Sequence, residues 1–133
     1  MESKLKKISN IKLGKSLFAR DQSSAFDVAA ELLDGRYTMV PVVDRNHRVV
    51  GVVSQQDLLR ALCGPTRLEE INAKQIMFPA PITVEAETTL VEVNKIMDIA
   101  KIGGLPVVKQ GRLVGTVTRH DLLRTWLGLG SDI

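Results

Sequence analysis

The stretch GVVSQQDLLRAL at residues 51–62 returns as GTVTRHDLLRTW at residues 115–126. Gly51 falls on Gly115, and Asp57, Leu58, Leu59 and Arg60 fall on Asp121, Leu122, Leu123 and Arg124. A repeat at a fixed offset marks one supersecondary unit used twice. Upstream, VPVVDRNHRVV (40–50) lies on LPVVKQGRLV (105–114), so Pro41 meets Pro106 and Arg48 meets Arg112. The offset is 65 before the intervening turn and 64 after it. Further back, SLFARDQSSAFDVAAELLDGRYT (16–38) lies on PITVEAETTLVEVNKIMDIAKIG (81–103), with little identity but the same pattern.

That pattern predicts the elements. Ala25, Val28, Ala29, Leu32 and Leu33 keep helical spacing, as do Leu90, Val93, Ile96, Met97 and Ala100. Ser24 and Asp27 form a capping signal before the first of these helices. MVPVV and RVVGVVS are β-branched runs joined by the turn DRNH, and the second copy turns at KQG. Short helices follow at QQDLLRALCG and RHDLLRTWLG, each stopped by glycine. Each half therefore reads strand–helix–strand–strand–helix. In PTRLEEINAKQIMFP (65–79) a Thr66–Glu69 capping signal predicts one short connecting helix. The expected organisation is a basic arm at 1–10, a first repeat at 11–64, a connector at 65–76, a second repeat at 77–127 and a tail at 128–133. The fold class is α/β (α+β). The two repeats pack about a pseudo-twofold axis, which covers their apolar faces and leaves clefts where the sheets meet.

Composition narrows the function. The chain of 133 residues is 44% hydrophobic and 4% aromatic, with a formal net charge of +3. This supports a core, suits small anions and leaves few rings for base stacking. The single cysteine, Cys63, excludes an internal disulfide and is compatible with a cytoplasmic location. No run of 18 apolar residues spans a bilayer, and no apolar stretch follows the N-terminal lysines to make a secretory signal. His47 and His120 have no metal-ligand spacing with each other or with Cys63. His120 and Asp121 are adjacent on a helix and face different ways, so they make no catalytic dyad. His47 is expected in solvent, Cys63 buried as a small apolar group, and Trp126 packed in the core or against a second copy. Lys4, Lys6, Lys7, Lys12 and Lys15 are expected on a solvated arm.

The segments Ser54-Gln55-Gln56-Asp57 and Thr118-Arg119-His120-Asp121 sit where a strand becomes a helix. One reading is structural, a hydroxyl N-cap with an aspartate at the third helical position. The other uses the same geometry for a ligand. Free backbone N–H groups suit a phosphate, and a carboxylate one turn on accepts hydrogen bonds from the two hydroxyls of a ribose. Gly51 and Gly115 would then permit close approach on the preceding strand.

Over about residues 11–127 these motifs resemble a tandem pair of cystathionine β-synthase (CBS) domains, a Bateman module. MFPAPITVEAETTLVEVNKIM, GGLPVV and GRLVGTVTRHDLL carry the resemblance. It implies a regulatory sensor without catalysis, homodimeric, binding AMP, ADP or ATP in clefts between the repeats and governing an enzyme or transporter. S-adenosylmethionine and dinucleotides are the other ligands it implies. One implied site takes Ser54 and Asp57 with Ile82, Thr83, Val84, Gly103, Gly104 and Leu105. The other takes Thr118, Arg119, His120 and Asp121 with Leu17, Phe18, Ala19, Tyr37, Thr38, Met39 and Val40. Lys101 and Arg36 add charge to the first and second site respectively. The opening strand SLFA lacks the proline of PITV, so an irregular adenine wall is expected there. Two alternatives stand beside this reading: a ligand-free CBS module for dimerisation or partner contact, and a basic nucleic-acid-binding regulator using the lysine arm.

Overall fold

The computed structural model describes residues 6–11, 13, 17–35 and 38–128. The chain divides into two compact units, residues 17–81 and residues 1–16 together with 82–133.

The first unit contains β1 (Ala19–Arg20), α1 (Ala25–Gly35), β2 (Met39–Val43), β3 (Val49–Ser54), α2 (Gln55–Leu62) and the one-turn α3 (Ala73–Ile76). Its sheet has the order β1-β2-β3. β1 runs parallel to β2 at Ala19↔Val42, and β2 runs antiparallel to β3 at Pro41↔Val52. Pro41 has no N–H to donate, and it is tolerated in the central strand because β1 pairs only from Val42 onward. α1 starts as its capping signal predicts, with the Asp27 N–H donating to Ser24 Oγ at 3.1 Å. It buries Ala25, Val28 and Leu32 with Val40, Val42, Val53, Leu58 and Ala73.

The second unit repeats the plan with β4 (Val84–Glu85), α4 (Leu90–Ala100), β5 (Gly104–Lys109), β6 (Arg112–Thr118) and α5 (Arg119–Trp126). β4 pairs with β5 at Val84↔Val107, and β5 with β6 at Pro106↔Thr116. Both central strands shift register at the same place, between Val42 and Val43 and between Val107 and Val108. β1 and β4 pair in equivalent registers from Ala19 and Val84 onward, and Ser16, which stands where PITV has Pro81, lies outside the described residues.

Two expectations fail, for one reason. Residues 6–11 are not a solvated arm. Ile8 is 1% exposed and joins Ile11, Leu90, Val93, Met97 and Val117 in the core of the second unit. Lys6 O accepts the Leu90 N–H at 2.9 Å, the Ile8 N–H donates to Thr88 O at 3.0 Å, and the Ser9 N–H donates to Ala86 O at 2.8 Å. Nor is residues 65–79 a single connecting helix. A 3-10 turn at Leu68–Glu70 has no side-chain cap, and α3 begins after its N-cap Asn72, whose Oδ1 accepts the Gln75 N–H, rather than through Thr66–Glu69. This segment repeats the first one's bonds 65 residues on. The Ala25 N–H donates to Ile71 O at 2.7 Å, the Ala73 N–H to Ser23 O at 2.8 Å and the Lys74 N–H to Asp21 O at 3.0 Å. Each unit is therefore closed by a strap, 6–13 or 71–78. The repeat extends upstream of residue 11, and the strap of the second unit precedes the first unit in the chain.

Lys7 Nζ also reaches Glu87 Oε2 at 2.9 Å. The hydrogen bond and charge of Lys7 hold the Glu87 carboxyl below its ordinary range. That part of the strap's attachment is present above the ordinary carboxylate pKa and lost as pH falls through the lowered one. Both side chains are largely exposed, so the contribution is small.

The straps explain two glycines. A Cβ on Gly51 would collide with the Met77 sulfur and lie 2.8 Å from Phe78 O, while a Cβ on Gly115 would lie 2.7 Å from Leu13 Cδ1. Close approach at these positions is by the protein's own chain. Phe78 is held by two backbone bonds to Val52, at 3.1 and 2.8 Å, and cannot withdraw cheaply. Gly51→Ala is expected to cost about 1–3 kcal/mol, the usual range for overpacking. Gly115→Ala should cost less, because the far end of a leucine can rotate away. Urea denaturation of both variants checks the order.

Other side chains depart from expectation. Cys63 is exposed, because it caps the C-terminus of α2 outside its buried face. His47 is only half in solvent, with its ring edge on Phe18 at 4.8 Å between centroids. Trp126, 37% exposed on α5, is not in the core of its unit, which leaves packing against a second copy as its expected role. Among the described residues no helix is long and apolar enough to cross a membrane.

Candidate functional site

The two strand-to-helix corners are built alike. Ser54 ends β3 in extended conformation, which turns its hydroxyl toward the first turn of α2. The Asp57 N–H donates to Ser54 Oγ at 3.2 Å. Asp57 Oδ2 accepts the Ser54 N–H at 2.8 Å and the Ser54 hydroxyl at 2.9 Å. Thr118 and Asp121 repeat this at the start of α5, with 3.1 Å for the Asp121 N–H, 2.9 Å for the Thr118 N–H and 3.0 Å for the hydroxyl. Capping is thus a real role of both aspartates, and it engages one carboxylate oxygen. At Asp57 the other oxygen, Oδ1, accepts from Arg60 Nη1 at 3.1 Å. The Asp57 side chain is 15% exposed and that of Arg60 68%, so the guanidinium can leave the carboxylate to another donor at little cost.

Within each unit the start of the central strand adjoins the corner. Gln55 N–H donates to Thr38 O at 3.3 Å, Met39 pairs with Ser54, and Val40 pairs with Val53. Correspondingly, Arg119 N–H donates to Gly103 O at 3.1 Å, Gly104 pairs with Thr118, and Leu105 pairs with Val117. The residues brought beside Asp57 inside its unit are therefore 38–40, and those beside Asp121 are 103–105. The assignment implied by the resemblance instead joins each corner to strands of the other unit.

The remaining candidates sit on the opening strands. Ala19 and Val84 are buried, Leu17, Phe18 and Thr83 are half-buried, and Ile82 is exposed. Phe18 is already in contact with His47, and the Arg20 guanidinium lies 6.0 Å from its ring centre. Tyr37 and Arg36 lie outside the described residues.

The corners differ in charge. Gln55 and Gln56 flank Asp57, whereas Arg119 and His120 flank Asp121, all four exposed. A Cβ on Gly103 would lie 3.5 Å from Arg119 Nη1, so this guanidinium runs back beside the Gly103 backbone. Lys101 has φ 58° at the end of α4, in the same unit as Arg119.

The family model for the CBS domain matches residues 15–64 and 73–128, both copies of the repeat. The chain belongs to the CBS domain family. A CBS domain-containing protein of Dictyostelium discoideum is 37% identical, with 84% of this chain and 85% of that protein covered. Inosine-5′-monophosphate dehydrogenase of Staphylococcus saprophyticus is 31% identical over 90% of this chain, which spans 24% of the enzyme's length. Among solved structures, AcuB of Vibrio cholerae superposes with a TM-score of 0.84 at 27% identity, covering 94% of this chain and 93% of that one. CBSX2, crystallised with AMP, gives 0.79 at 27% identity, covering 92% and 97%. A CBS domain pair crystallised with 5′-methylthioadenosine and S-adenosyl-L-methionine gives 0.76 at 26% identity, covering 93% and 98%. The strap at 6–13 lies outside the matched residues, although its sequence signal was available. Ile8 and Ile11 fall on Ala73 and Ile76 when the offset of 65 is carried upstream.

Proposed function

We propose that this CBS pair is a non-catalytic regulatory module that binds an adenine nucleotide, AMP, ADP or ATP, at its two strand-to-helix corners. The observation that carries the reading is the twofold occurrence of one arrangement, a hydroxyl N-cap with a half-buried carboxylate one turn on. Similarity to CBSX2, which was crystallised with AMP, supports it. Asp57 and Asp121 would take the ribose hydroxyls, and Ser54 and Thr118 the first phosphate. Leu17–Ala19 and Ile82–Val84, with residues 37–40 and 103–105, would offer apolar side chains and backbone groups to the adenine. Arg119 and His120 would draw further phosphate charge to the Asp121 corner. The protein acts in this reading by changing an attached or partner enzyme or transporter when the nucleotide level changes. A thermal-shift panel of AMP, ADP, ATP, NAD and S-adenosylmethionine tests it. An adenine nucleotide should raise the melting temperature most, and a response to S-adenosylmethionine alone would replace the ligand.

The homodimer belongs to the same proposal and has its own support. Between α1 and α2 runs an apolar groove of about 290 Å³ lined by Ala29, Leu32, Leu33, Leu58, Leu59 and Leu62 among others. Leu33 is 75% exposed, Leu59 56% and Leu62 62%. This face also favours the second reading, a ligand-free dimerisation module. Leu33→Asp with Leu59→Asp is expected to weaken the dimer about 30-fold or more, as loss of interface anchors does. Light scattering across a concentration series reads the change. The nucleic-acid reading loses support, since Lys7 is paired with Glu87 on a docked strap. Lys4, Lys12 and Lys15 lie outside the described residues.

A further inference from the structure

The Asp57 carboxylate has few acceptor positions left to give. A carboxylate offers about four, two on each oxygen. Oδ2 uses both of its own inside the corner, on the Ser54 N–H at 2.8 Å and the Ser54 hydroxyl at 2.9 Å. Oδ1 accepts Arg60 Nη1 at 3.1 Å, which leaves one position open.

A ribose brings two adjacent hydroxyls, and each needs an acceptor position. One can be met while Arg60 stays seated. The second can be met only if a bond already made on the carboxylate is given up. The candidates for release are unequal. The bonds on Oδ2 are part-buried and belong to the cap that starts α2. Arg60 stands one turn after Asp57 on the same helix, with its side chain 68% exposed, so water replaces what its guanidinium loses. The ribose therefore displaces Arg60 and leaves the cap intact. A sugar lacking one hydroxyl makes no such demand, and Arg60 stays on Oδ1.

We propose that Arg60 is a positioning residue that sets how strictly the Asp57 corner requires a ribose. Seated on Oδ1, it competes with the second sugar hydroxyl and narrows the margin by which a ribonucleotide is preferred to its 2′-deoxy counterpart. This rests on the nucleotide reading above. The loss of an exposed ion pair shifts an equilibrium by about 5-fold at most, so Arg60 trims the preference without abolishing it. Its positive charge also attracts a phosphate. AMP and 2′-deoxy-AMP carry the same phosphate, so that attraction cancels from the ratio of their affinities.

Calorimetric titration with AMP and with 2′-deoxy-AMP tests it, in the full chain carrying Asp121→Ala so that the Asp57 corner alone is read. Adding Arg60→Ala should raise the ratio of the two affinities about 2- to 5-fold in favour of AMP. Arg60→Lys keeps a cation one turn from Asp57 and should return the ratio toward its starting value. Arg67→Ala removes an equal charge from an exposed pair with Glu69, outside the corner, and should leave the ratio unchanged. A ratio that Arg60→Ala leaves unchanged or lowers, or that Arg67→Ala raises as much, overturns the proposal while leaving the nucleotide reading intact. No binding of AMP to the Asp121→Ala chain removes the Asp57 corner as a site and overturns the proposal. No binding to the unmodified chain either overturns the nucleotide reading as well.

Discussion

Ile8→Ala should lower the stability of the chain by about 2–5 kcal/mol, the range for removing a large aliphatic side chain from a packed core. For a chain of this length that is on the order of 10 °C in melting temperature. The size follows from where Ile8 sits. It is 1% exposed, and it packs in one cluster with Leu90, Val93, Met97, Leu105 and Leu122. Ser9 next to it is exposed, and its side chain meets only the exposed Glu87 carboxyl while its backbone bond to Ala86 is kept in the variant, so Ser9→Ala should stay within about 0.5 kcal/mol. A solvated arm would make the two variants alike. Thermal or urea denaturation separates the cases, and equal small effects would show that the strap does not pack.

Asp57→Ala and Asp121→Ala are expected to act twice. Each removes a capping carboxylate that accepts a backbone N–H and a hydroxyl, which costs about 1 kcal/mol of stability. Each also removes a charged acceptor assigned to the ribose. Charged hydrogen bonds are worth about 1.5–3 kcal/mol, so affinity at the altered corner should fall about 10- to 100-fold. Capping alone predicts the first effect without the second. The melting temperature of the free protein cannot distinguish them, but the shift caused by nucleotide can. A double variant that melts slightly lower yet keeps the full shift with AMP would make both aspartates caps only.

The repeat carried most of the fold into view. β-branched runs located β2 and β5, which are buried at consecutive positions, and helical spacing located α1 and α4, each of which buries one face against its own unit. The straps were obscured for a physical reason. A strap docks through backbone bonds and a few side chains, so Ile8, Ile11 and Leu13 are spread among lysines and polar residues rather than gathered in a long amphipathic stripe. The lysines drew the reading toward a solvated tail, although Lys7 serves as the partner of Glu87. Cys63 and Leu59 show a related limit. A short helix at a surface keeps apolar residues on more than one side, and spacing alone does not say which side is covered. At the corners, Ser54, Asp57, Thr118 and Asp121 were found by sequence because a capping pair has a fixed spacing. Their nearest strand neighbours, 38–40 and 103–105, depend on hairpin register. The one-residue difference in the turns makes that register harder to read.

Equilibrium dialysis of the full, unmodified chain against labelled AMP tests the central claim most directly. It measures occupancy without relying on stability or on any variant. The account predicts saturable binding approaching two AMP per chain, displaced by unlabelled ADP or ATP. Ligand at 100 times its dissociation constant should also stabilise the fold by about 2.7 kcal/mol. No saturable uptake of AMP, with none displaced by ADP or ATP, would contradict the account and leave the apolar groove between α1 and α2 as the basis of a ligand-free dimerisation module.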